Sequence, residues 1–198
     1  MITECIIKIS IVKKYMEEIF KRYDGGGNAG TDKNTIHSYL AAYERVFEPR
    51  RHDPVRIVEI GVFTGGSLRA WADYFDHPDS EIIGLDINPN LVCFDLSTPK
   101  IKTMVLDATN REAVSRLEGS FDFVIDDGSH ALRDQMASYL LFKSRIRPEG
   151  AYIIEDIQSM DDANMLSTLA EDGGAKAELI DTRHVKGRYD DVMLVITK

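Results

Sequence analysis

Residues 55–67, which read VRIVEIGVFTGGS, constrain the fold of this 198-residue chain more than any other segment. A short apolar run ends there in a glycine-rich turn, and the residues after it, LRAWADYF, have the apolar spacing of a helix. A strand, a glycine turn and a helix in this order build the nucleotide site of open α/β sheets, although a plain strand-to-helix turn explains the glycines equally well. Because Phe63 stands where a dinucleotide fingerprint has its second glycine, the turn does not suit a pyrophosphate.

The rest of the chain alternates between strand-like and helical patterns. Strand patterns cover residues 56–62, 81–87, 102–106, 121–125, 151–154, 177–180 and 191–197, and helical patterns cover residues 67–75, 110–117, 131–146 and 161–171. This alternation predicts an α/β fold of the Rossmann-like type, a seven-stranded and mostly parallel sheet with helices on both faces. No helical pattern separates the last two strands, so we expect them to form a hairpin with one antiparallel strand near the C-terminus.

The residues before the first strand predict a short helical cap. Residues 9–23 and about 35–47 have helical spacing, and the second helix could be capped by Asn34 or Thr35. Residues 24–30, DGGGNAG, are a flexible joint that would suit a lid. We therefore expect one domain over residues 1–198, with a cap or lid at 1–50 and an α/β core at 51–198.

Charge and cysteine content exclude several classes of partner. A net charge of −9 argues against nucleic acid and against an anionic membrane surface. No apolar run approaches the ~18 residues of a membrane span, and the N-terminus does not resemble a signal peptide. The two cysteines, Cys5 and Cys93, have no metal-binding spacing and fit a reducing compartment. We expect a cytoplasmic protein, and the sequence leaves its oligomeric state open, a homo-oligomer included.

Acidic residues stand at the ends of the predicted parallel strands, where such sheets bind ligands. Asp86 ends the second strand, where an acid can hold ribose hydroxyls, although a turn-forming role is the alternative. Asp107 follows the third strand, and it could instead cap the helix that starts near Asn110.

Two acidic doublets give the most specific signal. Asp126 and Asp127 end the fourth strand, and Glu155 and Asp156 end the fifth. Since neighbouring strands bring these ends together, the four carboxylates would repel one another unless they are protonated or bound to a cation. Oxygen ligands of this kind suit Mg²⁺ best, then Mn²⁺ or Ca²⁺. Helix capping would explain one acid at each strand end but not a doublet at both.

His130 lies three residues after Asp127 and opens the next helical pattern. An imidazole titrates near neutral pH, so this side chain could accept a hydroxyl proton as a general base. A lone histidine is more often structural, and that alternative stays open.

The set of motifs EIGVFTGGS, GLDIN, DDGSH and IIEDI, with Thr31-Asp-Lys, His37 and Tyr39 before them, resembles a known enzyme family. The chain is similar to class I S-adenosylmethionine-dependent methyltransferases. Within them it resembles the Mg-dependent sugar O-methyltransferases of the macrocin and mycinamicin type and their cephalosporin-hydroxylase-like relatives. The resemblance runs from about Gly30 to the C-terminus. It implies a seven-stranded methyltransferase fold with S-adenosylmethionine and Mg²⁺, or Mn²⁺, as cofactors.

The resemblance also implies roles for individual residues. His130 would be the catalytic base, acting beside Asp127, while Asp127, Glu155 and Asp156 would bind the metal. Lys33, His37 and Tyr39 would belong to a lid or contact the acceptor. The residues expected to hold S-adenosylmethionine are Glu59, Gly61, Gly65, Ser67, Asp86, Asp107 and Asp126.

The function expected from the residues and the resemblance is metal-dependent O-methylation of a sugar hydroxyl or of a glycosylated small molecule. A vicinal diol would chelate the cation through both oxygens, which would fix the methylated position. One alternative is a metal-dependent O-methyltransferase of the catechol type, and another is a non-catalytic module that binds S-adenosylmethionine. A hydroxylase is disfavoured because the sequence shows no His-x-Asp/Glu triad for iron.

Overall fold

One seven-stranded sheet with helices on both faces dominates the computed structural model. The structure describes residues 15–24, 30–91 and 98–198. The start of the predicted helix at 9–23, most of the glycine-rich joint, Cys5 and Cys93 lie outside the described residues. The strands are β1 (Arg56–Ile60), β2 (Glu81–Asp86), β3 (Ile101–Val105), β4 (Phe121–Asp126), β5 (Ile146–Ile154), β6 (Lys176–Asp181) and β7 (Val192–Thr197).

The strand order is β3-β2-β1-β4-β5-β7-β6. Strands β1 to β5 pair in parallel, whereas β7 is antiparallel to both of its neighbours, β5 and β6. The predicted fold class, including the antiparallel strand near the C-terminus, is confirmed. Because β7 runs against the others, its first residues lie at the edge of the sheet where β1, β4 and β5 end.

Helices cover the two faces of the sheet in two separate layers. Alternate strand residues point to opposite faces. The helices are α1 (described over residues 15–21), α2 (Leu40–Phe47), α3 (Gly66–Tyr74), α4 (Arg111–Ser115), α5 (Leu132–Phe142), α6 (Met160–Asp172) and α7 (Arg183–Lys186). Ile57 and Phe123 belong to a core with α1, α2 and α3, whereas Val58 and Val124 belong to a core with α4, α5 and α6.

Several boundaries differ from the sequence prediction for physical reasons. Strand β5 begins at Ile146, whereas the sequence pattern placed its start at residue 151. The pattern missed the first part of the strand because Arg147, Pro148 and Glu149 are exposed and give no apolar signal. Helix α2 begins at Leu40 without a side-chain cap, and residues 30–39 form an irregular segment instead of its first turns. The predicted loop between β6 and β7 contains the short helix α7.

Residues 30–39, which we call the N-terminal segment, cross the edge of the sheet where the parallel strands end. A Cβ atom on Gly66 would lie 2.3 Å from the backbone carbon of Gly30, so the segment packs directly on the glycine turn after β1. Gly61 has φ +95°, and a Cβ there would lie 2.1 Å from the backbone oxygen of Asp127. Only glycine permits this contact between the turns after β1 and β4.

Helices α1 and α2 belong to the layer on one face of the sheet, while the N-terminal segment reaches the ligand-binding edge together with Tyr43 of α2. No helix within residues 15–24, 30–91 and 98–198 is long and apolar enough to cross a membrane.

Candidate active site

A cavity of about 410 Å³ opens at the carboxyl ends of β1, β2 and β4. Its size lies within the usual range of small-molecule sites. Four of the residues that the sequence assigned to cofactor binding line it: Gly61, Asp86, Asp107 and Asp126.

Asp86 and Asp107 shape the loops at the rim of this cavity. The Asp86 carboxylate accepts hydrogen bonds from the backbone N–H groups of Val62, at 2.9 Å, and Asn88, at 2.8 Å. Asp107 accepts from the backbone N–H and the hydroxyl of Thr109, at 2.8 and 2.7 Å. The cap of α4 is Asn110, whose side chain accepts from the Ala113 N–H at 3.0 Å. Asp107 therefore does not cap this helix.

The Asp126 carboxylate is buried beside the hydroxyl groups of Ser138 and Tyr152. It accepts hydrogen bonds from Ser138 and, at 2.9 Å, from Tyr152. Burial raises the pKa of its carboxyl, and these hydrogen bonds oppose the shift.

The next residue, Asp127, belongs to a second group of side chains. Asp127, His130 and Asp156 each present a ligand atom, and these atoms lie within 4.8 Å of one another. His130 Nε2 lies 3.2 Å from Asp127 Oδ1 and 3.8 Å from Asp156 Oδ2. His130 and Asp156 both have positive φ, at +58° and +52°, and such strain in residues other than glycine tends to occur at functional sites. We call these three residues the acidic cluster.

Lys33 of the N-terminal segment places its ammonium group beside the acidic cluster. Its Nζ lies 2.6 Å from Asp127 Oδ2, 2.8 Å from Glu155 Oε2 and 3.3 Å from Glu59 Oε1, and its side chain is 1% exposed. Burial alone would lower the pKa of Lys33, but the three carboxylates raise it well above its ordinary value. Lys33 is therefore a buried cation at the centre of the site.

Glu155 lies beside the acidic cluster, but its two oxygens are already engaged. One accepts from Lys33, and the other accepts a hydrogen bond from the hydroxyl of Tyr43. Burial raises the pKa of Glu155 well above its usual range, with repulsion from Asp127 adding to the effect and Lys33 opposing it. The sequence correctly places Glu155 at this edge, and its contacts are with Lys33 and Tyr43.

His37 and Tyr39 support Asp156 from the other side. The Tyr39 hydroxyl donates to Asp156 Oδ1 at 2.7 Å, and His37 Nδ1 lies 3.2 Å from the same oxygen. The rings of His37 and Tyr39 stack with their centroids 5.0 Å apart. His37 and Tyr39, two of the three residues predicted as lid or acceptor contacts, are thus buried neighbours of Asp156.

Two residues that the sequence analysis did not single out, Asp191 and Lys186, complete this region. Asp191 is fully buried, accepts from the Ser38 N–H at 3.0 Å and lies 3.5 Å from His37 Nδ1. Lys186 donates to backbone oxygens of the N-terminal segment, and Tyr43 binds Glu155. The doublet Asp190-Asp191 was a usable signal for the first of them, because it stands where an antiparallel strand begins at the ligand-binding edge.

The remaining predicted cofactor residues lie in the glycine turn or next to it in the chain. Glu59 is buried, and it accepts a hydrogen bond from Trp71 Nε1 at 2.9 Å. Gly65 caps α3 in a left-handed conformation, and Ser67 is buried in the first turn of that helix. These residues contact Lys33 or the turn, whereas the cavity is lined by the other four.

The electrostatics of the edge favour an added positive charge. Three carboxylates, from Glu59, Asp127 and Glu155, surround the ammonium of Lys33, and the carboxylate of Asp156 lies beside His37 and His130. Lys33 and His130 hold the pKa of Asp127 at about 2 although burial opposes this, while burial raises the pKa of Glu59 and Asp156. Buried carboxylates with raised pKa values gain stability when a cation neutralises them.

Comparison with known proteins agrees with this geometry. The methyltransferase-domain family matches residues 58–157, just over half of the chain. A tetracenomycin rhamnosyl 2'-O-methyltransferase from Streptomyces olivaceus is 36% identical over 140 residues, 66% of this chain and 36% of the relative. Mycinamicin VI 2''-O-methyltransferase from Micromonospora griseorubida is 36% identical over 129 residues, 62% of this chain and 32% of the relative. The chain thus matches about a third of the length of these relatives.

Solved structures show the same relationship. The MycE methyltransferase of the mycinamycin biosynthetic pathway, solved in complex with Mg and SAH, has a TM-score of 0.71 and 27% identity. The match covers 92% of this chain and 54% of that one. A precorrin-6y C5,15-methyltransferase from Geobacter metallireducens, with 17% identity and a TM-score of 0.61, shares the fold. The chain belongs to the methyltransferase-domain family, and its relatives are sugar O-methyltransferases of the macrocin and mycinamicin type.

Proposed function

We propose that this chain is an S-adenosylmethionine-dependent and divalent-metal-dependent O-methyltransferase that acts on a hydroxyl of a sugar or of a glycosylated small molecule. The proposal rests mainly on the two adjacent acids at the end of β4. Asp126 lines the cavity there, and the adjacent Asp127 belongs to the acidic cluster. A methyl donor in the cavity and a hydroxyl at the cluster would therefore be neighbours, as transfer between them requires.

The acidic cluster fits a divalent cation. Carboxylate oxygens from two neighbouring strand ends are suitable donors for Mg²⁺ or Mn²⁺. Asp127 and Asp156 would hold the ion, and we propose Glu155 as a third ligand. Glu155 would have to give up Lys33 or Tyr43 to take that role. When bound, the ion acts as a Lewis acid that lowers the pKa of an acceptor hydroxyl.

The cavity fits a nucleoside-containing cofactor. Asp86 stands at the end of β2, where an acid can accept hydrogen bonds from ribose hydroxyls, and Asp107 stands at the corresponding place after β3. Gly61 leaves room for close backbone approach, and Asp126 borders the methyl-transfer side. Glu59, Gly65 and Ser67 would support the glycine turn rather than contact the cofactor. S-adenosylmethionine supplies an electrophilic methyl carbon when bound.

His130 is the proposed general base. Its Nε2 faces Asp127 and Asp156, and its side chain is 32% exposed, so an acceptor can reach it. Asp127 would act with it by accepting a hydrogen bond from the imidazole and fixing the ring. His37 and Tyr39 would hold Asp156 in place, and the N-terminal segment that carries them would form one wall of the acceptor site.

Replacing Asp86 by alanine should weaken S-adenosylhomocysteine binding by about 1–3 kcal/mol, the scale of a lost hydrogen bond to a charged group. The variant loses the proposed ribose acceptor and also the bond that fixes the Val62 N–H. Isothermal titration calorimetry measures the change, with Asp79→Ala as the matched control, because Asp79 is an exposed acid far from the cavity. Unchanged affinity in Asp86→Ala would contradict the ribose assignment.

The acceptor class is tested by methyl transfer from labelled S-adenosylmethionine with Mg²⁺ present. The panel contains rhamnosides, glycosylated macrolides and catechol. The relatives' names specify rhamnosyl tetracenomycin-C and mycinamicin VI as their acceptors, which motivates the first two classes. Label in a sugar hydroxyl supports the proposal. Label in catechol alone would favour the catechol-type alternative, and cofactor binding without any transfer would favour a non-catalytic module.

A further inference from the structure

Lys33 is unusual because its buried ammonium group lies against carboxylates that we propose as metal ligands. It contacts Asp127 and Glu155, two of the three proposed metal ligands, and also Glu59. An isolated buried charge is strongly destabilising, so Lys33 and the carboxylates depend on each other for neutralisation.

The two oxygens of Asp127 divide the site between two cations. Oδ2 lies 2.6 Å from Lys33 Nζ, whereas Oδ1 lies 3.2 Å from His130 Nε2 within the acidic cluster. A divalent ion in the cluster would therefore share one carboxylate with Lys33. Like charges this close repel each other strongly in a partly desolvated site.

We infer that Lys33 is a tethered cation that competes with the divalent ion for Asp127 and Glu155, holding these carboxylates together without metal and lowering their affinity for it. The inference rests on the proposed function, because it assumes that the acidic cluster binds a divalent ion. It assigns Lys33 a role in setting metal affinity rather than in contacting the acceptor. Weaker binding keeps the metal exchangeable.

The competition also explains the contacts of Glu155. In the structure its charge is matched by Lys33, and Tyr43 holds its second oxygen. Removing the ammonium would leave Glu155 free to join Asp127 and Asp156 as a third metal ligand. The variant should thus gain affinity both from reduced repulsion and from an added donor.

The test is a calorimetric Mg²⁺ titration of the whole chain, wild type against Lys33→Met, which keeps the length of the side chain and removes its charge. We expect Lys33→Met to bind Mg²⁺ at least about tenfold more tightly, since a unit charge a few ångströms away is removed. Lys100→Met is the matched control, because Lys100 binds backbone oxygens of Ala72 and Phe75 and contacts no carboxylate of the site. It should bind Mg²⁺ as the wild type does.

Thermal unfolding gives a second readout that does not depend on activity. Lys33→Met should unfold at a lower temperature than the wild type in EDTA and should gain more from added Mg²⁺, because a ligand at a given concentration stabilises the native state more when it binds more tightly. If Lys33→Met does not fold, Glu155→Gln is compared with the double variant Lys33→Met/Glu155→Gln, which restores the charge balance. The double variant should bind Mg²⁺ more tightly than Glu155→Gln alone.

The outcomes separate this inference from the proposed function. If loss of Lys33 leaves Mg²⁺ binding equal or makes it weaker, in the wild type or in Glu155→Gln, the inference is wrong. The proposed function is then still supported as long as the wild type binds Mg²⁺. If neither the wild type nor any Lys33 variant binds Mg²⁺, both are wrong.

Discussion

Replacing Asp127 by asparagine should lower Mg²⁺ affinity by more than about 100-fold, beyond the 10–100-fold typical of residues that only support a metal ligand. The substitution keeps the size of the side chain but removes the negative charge that Asp127, at the end of β4, contributes to the acidic cluster. Methyl transfer should fall in parallel because no other residue of the cluster can replace this oxygen at the end of β4. Mg²⁺ titration measures the first effect, and turnover at a fixed Mg²⁺ concentration that just saturates the wild type measures the second.

Asp181→Asn is the control for charge, since Asp181 is an exposed acid whose carboxylate is held by Arg183. It should bind Mg²⁺ as the wild type does. Asp127 also contacts Lys33, so the direction of the change is informative. Loss of Asp127 should weaken metal binding, whereas loss of Lys33 should strengthen it. An Asp127→Asn variant with wild-type affinity and turnover would exclude the acidic cluster as the metal site.

The second large effect is expected at His130. His130→Ala should lower turnover by about 10²–10⁴, the usual contribution of a positioned base, while Mg²⁺ and S-adenosylhomocysteine affinities change little. The hydrogen bond to Asp127 raises the pKa of His130 above its ordinary 6.5, although burial opposes the shift. A base must be unprotonated, so the wild-type rate should rise with pH through the pKa of His130.

His130→Ala should lack this rise and regain part of its rate at high pH, where hydroxide can replace the imidazole. His52→Ala is the matched control, because His52 is exposed and pairs with Asp76 away from the site. If His130→Ala instead loses the metal, the imidazole is a ligand and the base lies elsewhere. A variant with full turnover would remove His130 from the mechanism.

The sequence predicts the framework of this protein well because the framework follows from local patterns. The apolar run before Gly61 and the acids after each strand depend on residues close in the chain, and parallel pairing brings those strand ends to one edge. The sequence thus predicts that Asp127 and Asp156 meet. It also predicts His130 beside them, since only a short turn separates it from Asp127.

The contacts that determine charge at the site could not be predicted in this way. Lys33 meets Asp127 and Glu155 across 94 and 122 residues of sequence, and no periodic pattern specifies such a partner. Residues 35–47 have helical spacing, yet α2 begins only at Leu40, and the residues just before it contact Asp191 instead. Tertiary ion pairs override local propensity here, as they commonly do.

We expect methyl transfer to depend on a divalent cation at the acidic cluster. The most direct measurement is transfer from labelled S-adenosylmethionine to a sugar acceptor before EDTA is added, after it is added and after excess Mg²⁺ is restored. EDTA should abolish transfer, and Mg²⁺ should restore it in the wild type but not in Asp127→Asn. Unchanged transfer in EDTA would exclude a catalytic metal ion at the acidic cluster.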